Sequence, residues 1–170
     1  MSVEDWTRLR RKDRAMPEDG IRALLHRAPF GFTATSVDDQ PFLHSSLYWY
    51  DEAYRRIYFH TAAEGRTRAN LLQNPRVCFS VAEMGRLLPA DTALEFSNEY
   101  AGVVVFGRAR LAETDEEKRR ALQSLLDKYF PDLRPGVDYR AITEKEMAIT
   151  SVIAIEIDGW SGKRKQAKQE

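Results

Sequence analysis

Residues 60–79, HTAAEGRTRANLLQNPRVCF, place a glycine, an arginine and a hydroxyl at the predicted start of a helix. Gly65, Arg66 and Thr67 would occupy its first turn, where backbone N–H groups have no helical partner and the helix dipole adds positive potential. Arginine contributes a bidentate donor, and threonine contributes a hydroxyl. This arrangement favours binding of a phosphate or another anion. The alternative is an exposed, arginine-rich helix start that Glu64 simply caps.

Polar side chains also interrupt an apolar segment, FLHSSLYWY, at residues 42–50. Successive side chains of a strand point to opposite faces. One face would carry His44, Ser46, Tyr48 and Tyr50, and the other would carry Leu43, Ser45, Leu47 and Trp49. The polar face is either an edge or surface face, or one whose polar groups and backbone border a planar ligand.

The remaining patterns exclude several common kinds of site. His26, His44 and His60 are the three histidines, and none has the cysteine or carboxylate neighbours of a zinc ligand, so no metal site is predicted. The sequence contains no Walker-type loop, Gly-x-Gly-x-x-Gly motif or Gly-x-Ser-x-Gly elbow. A nucleotide bound through those motifs and that kind of serine chemistry are therefore not supported. Cys78, the single cysteine, is predicted to be a buried small residue.

Short apolar segments separated by turn residues predict the strands that position these groups. They lie at residues 29–37, 42–50, 55–61, 76–84, 99–113 and 150–160. Gly107 predicts a bulge or bend, and residues 85–98 are predicted to form an irregular functional loop. Because the strands do not alternate with helices, we expect a mainly β (α+β) fold. It would be a small barrel of mostly antiparallel strands with a few flanking helices.

Helical patterns occur at residues 16–28, 64–74, 114–130 and 143–148. The helix at residues 114–130 has the strongest signature. Thr114 is its predicted N-cap, and Glu117 is expected to complete a capping box. Its predicted inward face consists of Leu122, Leu125, Leu126 and Tyr129.

The composition fits one domain. The chain has 170 residues, and its 26 lysines and arginines balance 26 aspartates and glutamates, which argues against a nucleic-acid partner. The basic segments at residues 8–14 and 163–168 are expected to be solvated tails. No apolar segment approaches the roughly 20 residues of a membrane span, and the N-terminus lacks a secretory signal. We therefore expect a cytoplasmic protein with an arm at residues 1–14, a domain at 15–165 and a tail at 166–170.

Four segments together carry a family resemblance that covers roughly residues 10–165. They are YFHTAAEGRTRANLLQNPRVCF, EMGRLLPADTALEFSNEYAGVVVFGRAR, YFPDLRPG and IEIDGWSGK. In this order the chain resembles the pyridoxamine 5′-phosphate oxidase-related flavoproteins, which have a split β-barrel of six to seven strands that binds FMN. It is most similar to the Nim-type branch, the nitroimidazole-resistance proteins.

The resemblance implies a role for specific residues. Arg66 matches the arginine that holds the FMN phosphate, and Thr67 stands where many relatives carry lysine, which weakens one charge partner. His60 and Thr61 match cofactor contacts at the end of the preceding strand. His44, Ser45, Ser46 and Leu47 match the strand beside the isoalloxazine ring.

The family forms homodimers with FMN at the interface, which would explain why one chain shows half a site. Trp160 matches an aromatic residue that packs at the flavin from the neighbouring subunit, and Lys163 follows it. The sequence departs from the family at two places. Ser45 stands where close Nim-type relatives have proline, and the substrate-phosphate arginine and histidine of true pyridoxamine phosphate oxidases are not matched after WSGK.

Two functions follow from these residues. The first is an FMN-dependent oxidoreductase that passes electrons to a small acceptor such as a nitroimidazole, with His44, Ser46 and His60 as donors near the flavin. His60 could also donate a proton and is the candidate catalytic residue, although it could instead merely close the pocket. The second is a non-catalytic protein that binds FMN, a deazaflavin or haem. A third reading is a structural dimer with an empty groove.

Overall fold

Seven antiparallel strands form a single sheet in the computed structural model, which describes residues 2–167. The strands are β1 (Gly31–Val37), β2 (Gln40–Ser46), β3 (Trp49–Asp51), β4 (Arg56–Ala62), β5 (Arg76–Leu88), β6 (Ser97–Leu111) and β7 (Thr150–Lys165). Their order in the sheet is β2-β1-β5-β6-β7-β4-β3. The predicted mainly β class with antiparallel strands is confirmed.

Five helices flank the sheet. They are α1 (Val3–Thr7), α2 (Glu18–Arg27), α3 (Arg66–Gln73), α4 (Asp115–Tyr129) and α5 (Glu144–Ile149), with a short 3-10 turn at Lys12–Arg14. Each of the four helices predicted from sequence is present within a few residues of its expected bounds. No helix among the described residues is both long and apolar enough to cross a bilayer.

The sheet curls until its two ends approach each other. β2 and β4 lie near opposite ends of the strand order, yet the His44 and Phe59 rings are 5.7 Å apart. The enclosed core contains the buried side chains Leu24, Leu25, Tyr48, Tyr50, Ile57, Phe59, Phe79, Val81, Val103, Val105, Ile153 and Ile155. Each such apolar side chain contributes about 1.5–3 kcal/mol on burial, so this interior is the main source of stability.

The predicted strand at residues 42–50 is in fact two strands. β2 ends at Ser46 and β3 starts at Trp49, because the chain leaves one end of the sheet here and joins the other. Tyr48 therefore lacks a strand partner. The Tyr129 hydroxyl accepts a hydrogen bond from the Tyr48 amide and donates one to the Tyr48 carbonyl, each 3.1 Å long. A side chain from α4 thus satisfies the backbone at this crossing.

The predicted loop at residues 85–98 was placed too broadly. β5 continues to Leu88 and β6 begins at Ser97, with a register shift between Met84 and Leu87. Arg86 Nε donates a hydrogen bond of 3.0 Å to Glu99 across the hairpin, which extends the pairing beyond the predicted end. Only residues 89–96 lie outside the two strands.

The predicted irregularity at Gly107 is confirmed. Phe106 pairs with Gly159 and Gly107 pairs with Ile157, so Asp158 is an extra residue on β7. The strands approach closely at this bulge, and a Cβ atom at Gly107 would lie 2.1 Å from the Glu156 carbonyl oxygen. Glycine is therefore required at this position.

The cap of α4 differs from the prediction in one respect. Thr114 Oγ1 accepts a hydrogen bond from the Glu117 amide, as expected. The Glu117 carboxylate, however, accepts from the Glu113 amide at 2.8 Å rather than completing a capping box with Thr114. Of the predicted inward face, Leu125 is buried and Leu122, Leu126 and Tyr129 are half-buried.

The two basic segments are not simply tails. Within residues 8–14, Lys12–Arg14 form a 3-10 turn, and Ala15 directly after it pairs with Lys163 of β7. Residues 163–165 are the end of β7, and residue 168 lies outside the described residues. The predicted burial of Cys78 is only partly right, since the residue is half-buried; burial raises the pKa of its thiol. The expected boundaries of the arm and tail stay predictions.

Candidate functional site

His60 lies on the outer side of the barrel, beneath α4. Ile57 and Phe59 point into the core, so the alternation of β4 directs Tyr58 and His60 to the opposite side. His60 lies at the end of this strand, paired with Val152 of β7. Its side chain lines a cavity of about 400 Å³ formed mainly by α4 and the segment that follows it.

The cavity around His60 is largely apolar. Its lining comprises Leu47, His60, Leu122, Leu125, Leu126, Tyr129, Phe130, Tyr139, Arg140, Ile142, Glu146 and Thr150. No side chain of residues 2–167 forms a hydrogen bond with the His60 imidazole. Burial, and to a smaller extent the nearby His44, lower the pKa of His60. Although the His60 side chain is exposed in the single chain, the lowered pKa favours the neutral ring, which offers one donor and one acceptor to whatever enters the cavity.

His44 lies on the other side of β4, inside the barrel. Its ring contacts Phe59, whose side chain points away from His60. Its Nε2 atom, Ser46 Oγ and Thr33 Oγ1 are buried without a hydrogen-bond partner in the described part of the chain. Burial also lowers the pKa of His44.

Of the edge-or-surface interpretation of the polar face of residues 42–50, the edge part is right, because β2 is the last strand at one end of the sheet, and the surface part is wrong. His44 and Ser46 are half-buried, and Leu43, Ser45 and Leu47 are exposed on the outer face instead. The reason is that β2 pairs with β1, where Thr33 and Thr35 also face inward and give the interior a polar end. Whether His44 and Ser46 border a ligand stays a prediction.

Gly65 and Arg66 form an open helix start, as predicted. Gly65 is the N-cap of α3 with φ of 145°, a conformation that glycine adopts readily, and a Cβ atom there would meet nothing within 4 Å. The first backbone bond of the helix runs from the Ala69 amide to the Gly65 carbonyl, which leaves the three preceding amides without helical partners. No side chain caps this end, so the predicted alternative in which Glu64 caps the helix is not observed.

Arg66 and Thr67 point in different directions. Arg66 is exposed, and its guanidinium lies 4.8 Å from the centre of the Phe42 ring. No carboxylate of residues 2–167 forms an ion pair with it. Thr67 is only 6% exposed, because α3 packs this side on the barrel, so its hydroxyl does not extend the open helix start.

The remaining predicted residues are divided between two ends of the molecule. Leu47 lines the same cavity as His60, Ser45 is exposed on the outer face, and the Thr61 hydroxyl donates to the Ala62 carbonyl at 3.0 Å. Trp160 is eight residues from Val152 along β7, about 26 Å at the usual rise of a strand.

Trp160 is half-buried within its own chain. Its ring lies 6.2 Å from the Tyr50 ring and 4.9 Å from the Arg55 guanidinium. Lys163 is three residues further along the same strand and is exposed. The structure thus brings Leu47 and His60 together in one cavity, and it separates Trp160 and Lys163 from them within one chain.

Sequence reasoning missed most of the cavity wall. Phe130, Tyr139 and Ile142 follow α4 and were not singled out from the sequence. Tyr129 and Phe130, the two aromatic residues directly before Pro131, were a usable signal. Leu122 and Leu126 were taken as core residues, because an apolar helix face has the same spacing whether it packs on protein or lines a cavity.

Comparison with known proteins agrees with this architecture. The family model described as pyridoxamine 5′-phosphate oxidase matches residues 17–164. The flavocytochrome Anf3 from Azotobacter vinelandii is 24% identical with a TM-score of 0.81, over 96% of this chain and 75% of that one. The FAD and haem binding protein from Mycobacterium smegmatis is 22% identical with a TM-score of 0.82, over 94% and 76%.

A third similar structure comes from Bacteroides thetaiotaomicron, a protein assigned to 5-nitroimidazole antibiotic resistance. It is 19% identical with a TM-score of 0.75, over 89% of this chain and 86% of that one. No curated protein is significantly similar to the chain. At these identities the structural likeness establishes the fold and leaves the chemistry to the residues themselves.

Proposed function

The chain belongs to the pyridoxamine 5′-phosphate oxidase family, and from that premise we propose that it is an FMN-binding oxidoreductase that reduces a small acceptor. The split-barrel fold of this family is the one described above. The comparisons support a flavin as the cofactor, because similar structures include a flavocytochrome and an FAD and haem binding protein. The choice of FMN and the reaction are inferred from the residues of this chain.

The start of α3 is the observation that carries the proposal. Gly65 leaves open space, three backbone amides point outward, and Arg66 is an exposed cation without an ion-pair partner among residues 2–167. A dianionic phosphate matches this arrangement of donors. The start of α3 follows β4 directly, so a phosphate there places an attached ring system near the end of β4 and His60.

We assign the acceptor to the cavity beneath α4. Bound flavin supplies the electrons, and the chain binds and orients the acceptor beside it. His60 has no partner among residues 2–167, so its neutral ring can donate a hydrogen bond to the acceptor, and its protonated form can give the acceptor a proton. A nitro-substituted ring suits this chemistry, since its oxygens accept hydrogen bonds and its reduction consumes protons. One similar structure, assigned to 5-nitroimidazole resistance, supports the choice.

A homodimer would complete the flavin site. Trp160 and Lys163 lie far from His60 in one chain, so only Trp160 of the partner subunit could reach the flavin. Large exposed apolar side chains support such an interface: Phe32 and Leu43 lie on β1 and β2, and Phe30 and Leu47 lie directly beside these strands. A stable interface buries about 800 Å² per partner, which needs a contiguous surface of this kind.

The cofactor that copurifies with the protein tests this proposal. We expect a yellow protein that releases an equimolar amount of FMN on denaturation, identified by chromatography beside FAD, riboflavin and a deazaflavin. Apoprotein titrated with each compound should bind FMN most tightly. A colourless protein that binds none of them would refute the flavin assignment, and preferential release of FAD would refute the choice of FMN.

Haem binding is a second candidate, favoured by one specific observation. His60 has no partner in the described residues and faces an apolar cavity, which is the environment of a haem-ligating histidine. Two of the similar structures are a flavocytochrome and an FAD and haem binding protein. A Soret absorption band that disappears in His60→Ala would support this candidate over the acceptor site.

A further inference from the structure

The cavity beneath α4 has a chemical character of its own. We call it the α4 groove and define it by His60, Leu122, Leu126, Tyr129, Tyr139 and Ile142. Its volume of about 400 Å³ lies in the range of small-molecule pockets. Leucines of α4 form one wall, tyrosine rings form another, and His60 is an unpaired polar group.

The charged groups of the groove neutralise each other. Arg140 and Glu146 are the charged side chains among its described lining residues, and Arg140 Nη2 lies 2.7 Å from Glu146 Oε1. The Glu146 carboxylate also accepts hydrogen bonds from the amide and hydroxyl of Thr143, the N-cap of α5. Arg140 is thus engaged and offers no free charge to an anion.

The tyrosine hydroxyls of the groove are also engaged by the protein. The Tyr129 hydroxyl shares its one hydrogen between the Pro29 carbonyl at 2.9 Å and the Tyr48 carbonyl at 3.1 Å, and the Tyr139 hydroxyl accepts from Gln123 at 2.8 Å. Tyr129 therefore presents ring surface to the groove, and Tyr139 presents ring surface together with one hydroxyl hydrogen. Flat aromatic surface favours stacking or edge contact with another ring.

We propose that the α4 groove binds neutral, largely apolar aromatic compounds, and that Leu122, Leu126 and Tyr139 set this preference against anionic ones. An anionic group here would lose its water without gaining a cation, which strongly disfavours it. A phosphorylated substrate is disfavoured for the same reason. That the bound compound is the electron acceptor rests on the proposed function, whereas the binding preference rests on the groove alone.

Two probes of matched shape test the preference. The first is 4-nitrobenzyl alcohol, which is neutral, and the second is 4-nitrobenzoate, which carries a carboxylate. Calorimetric titration of the purified protein, without reductant, measures binding and no turnover. We expect the alcohol to bind about tenfold or more tightly than the carboxylate at pH 7.

Substitutions then locate the preference. Leu126→Arg adds an unpaired cation to the wall formed by α4. It should reduce or reverse the difference in affinity between the neutral and the anionic probe. Tyr139→Arg does the same from the segment after α4, should Leu126→Arg fail to fold. Leu72→Arg is the matched control, because Leu72 lies on α3, is 61% exposed and does not line the groove. It should leave both affinities unchanged.

Several results would overturn the proposal. These are equal affinity for the two probes, tighter binding of the carboxylate, or a preference unchanged in both arginine variants of the groove. Copurified haem that is lost in His60→Ala would also overturn it, because haem would then occupy the groove. Flavin content, measured separately, reports on the proposed function. If a flavin-free protein prefers the neutral probe, the binding preference of the α4 groove is supported and the flavin-dependent function is refuted.

Discussion

The Tyr58 hydroxyl donates a hydrogen bond of 2.8 Å to Glu117 Oε1 and so joins β4 to the first turn of α4. Arg110 of β6 binds the same carboxylate at 2.9 Å. Tyr58 precedes His60 by two residues and shares its face of β4. This contact therefore fixes the distance of α4 from His60. The α4 groove is shaped by the polar network of Tyr58, Glu117 and Arg110 as well as by the leucines of α4.

Glu117→Gln should destabilise the protein in a pH-dependent way. Burial alone would raise the pKa of Glu117, but hydrogen bonds from Arg110, the Glu113 amide and Tyr58 lower it to about 2. Because the folded pKa is depressed, the stabilisation is complete above the ordinary value near 4.5 and is lost as the pH falls towards 2. We expect a loss of about 2–3 kcal/mol at pH 7, which shrinks steadily below pH 4.5.

Urea unfolding of wild type and Glu117→Gln between pH 7 and pH 3, at one protein concentration, checks this expectation. Glu113→Gln is the control, since Glu113 is 72% exposed and lies 3.5 Å from Arg110. It should cost less than about 0.5 kcal/mol at any pH. A constant difference between Glu117→Gln and wild type across the range would show that ionisation of Glu117 contributes nothing.

Arg66→Ala should weaken FMN binding by about ten- to a hundredfold, because a charge-assisted hydrogen bond to phosphate is worth roughly 1.5–3 kcal/mol. Riboflavin lacks the phosphate, so its affinity should not change. Quenching of flavin fluorescence on titration of apoprotein measures both constants. Arg76→Ala, an exposed arginine at the start of β5, serves as the control. An equal loss of affinity for FMN and for riboflavin would show that Arg66 does not bind the phosphate.

His60→Ala should keep its flavin and lose electron transfer to nitro compounds. General acid assistance contributes typically a hundred- to ten-thousandfold, or about 3–5 kcal/mol of transition-state stabilisation. The measurement is anaerobic reoxidation of chemically reduced holoprotein by a 5-nitroimidazole, followed by flavin absorbance. His26→Ala is the control, because His26 lies on α2 and is bound to Glu52 at 2.8 Å. Equal rates in wild type and His60→Ala would leave His60 without a chemical role.

Leu43→Lys should weaken the proposed homodimer by about tenfold or more, because it places an ammonium group in an apolar contact surface. Leu43 lies on the outer face of β2 and is 60% exposed. Leu72→Lys, at nearly the same exposure on α3, should leave association unchanged. Sedimentation gives the association state, and flavin content should fall with dissociation. A wild-type monomer that holds FMN tightly would contradict both the dimer and the shared site.

The sequence pattern was sufficient where local signals are strong. Thr114 marks the start of α4, and the consecutive valines at residues 103–105 mark β6, because both features depend on residues close in the chain. The break between β2 and β3 was not predictable, since the Tyr48 backbone is satisfied by Tyr129, 81 residues away. The open start of α3 was predicted from Gly65 and Arg66, whereas the burial of Thr67 depends on how α3 packs on β1.

The α4 groove likewise depends on contacts between residues that are far apart in the sequence, so the sequence could not predict it. His60 was identified as a single residue, but its wall comes from α4 and residues 130–142, which meet it only in the folded chain. The sequence also could not predict that His44 faces the inside of the barrel and His60 the outside. They follow from the curl of the sheet, which brings β2 against the inner side of β4 while His60 faces outward.

The extra residue at Asp158 allows β7 to place two side chains of irregular spacing on the same face at one end of the barrel. Ile157 and Trp160 both pack against the core although they are three residues apart, which regular alternation would forbid. Deleting Asp158 would leave Ile157 and Trp160 two residues apart, a spacing that places both side chains on one face of a regular strand and keeps the Trp160 ring against Tyr50. A one-residue gap at this position in an alignment of relatives would therefore mark a protein whose final strand lacks the bulge and keeps its aromatic residue on the core side.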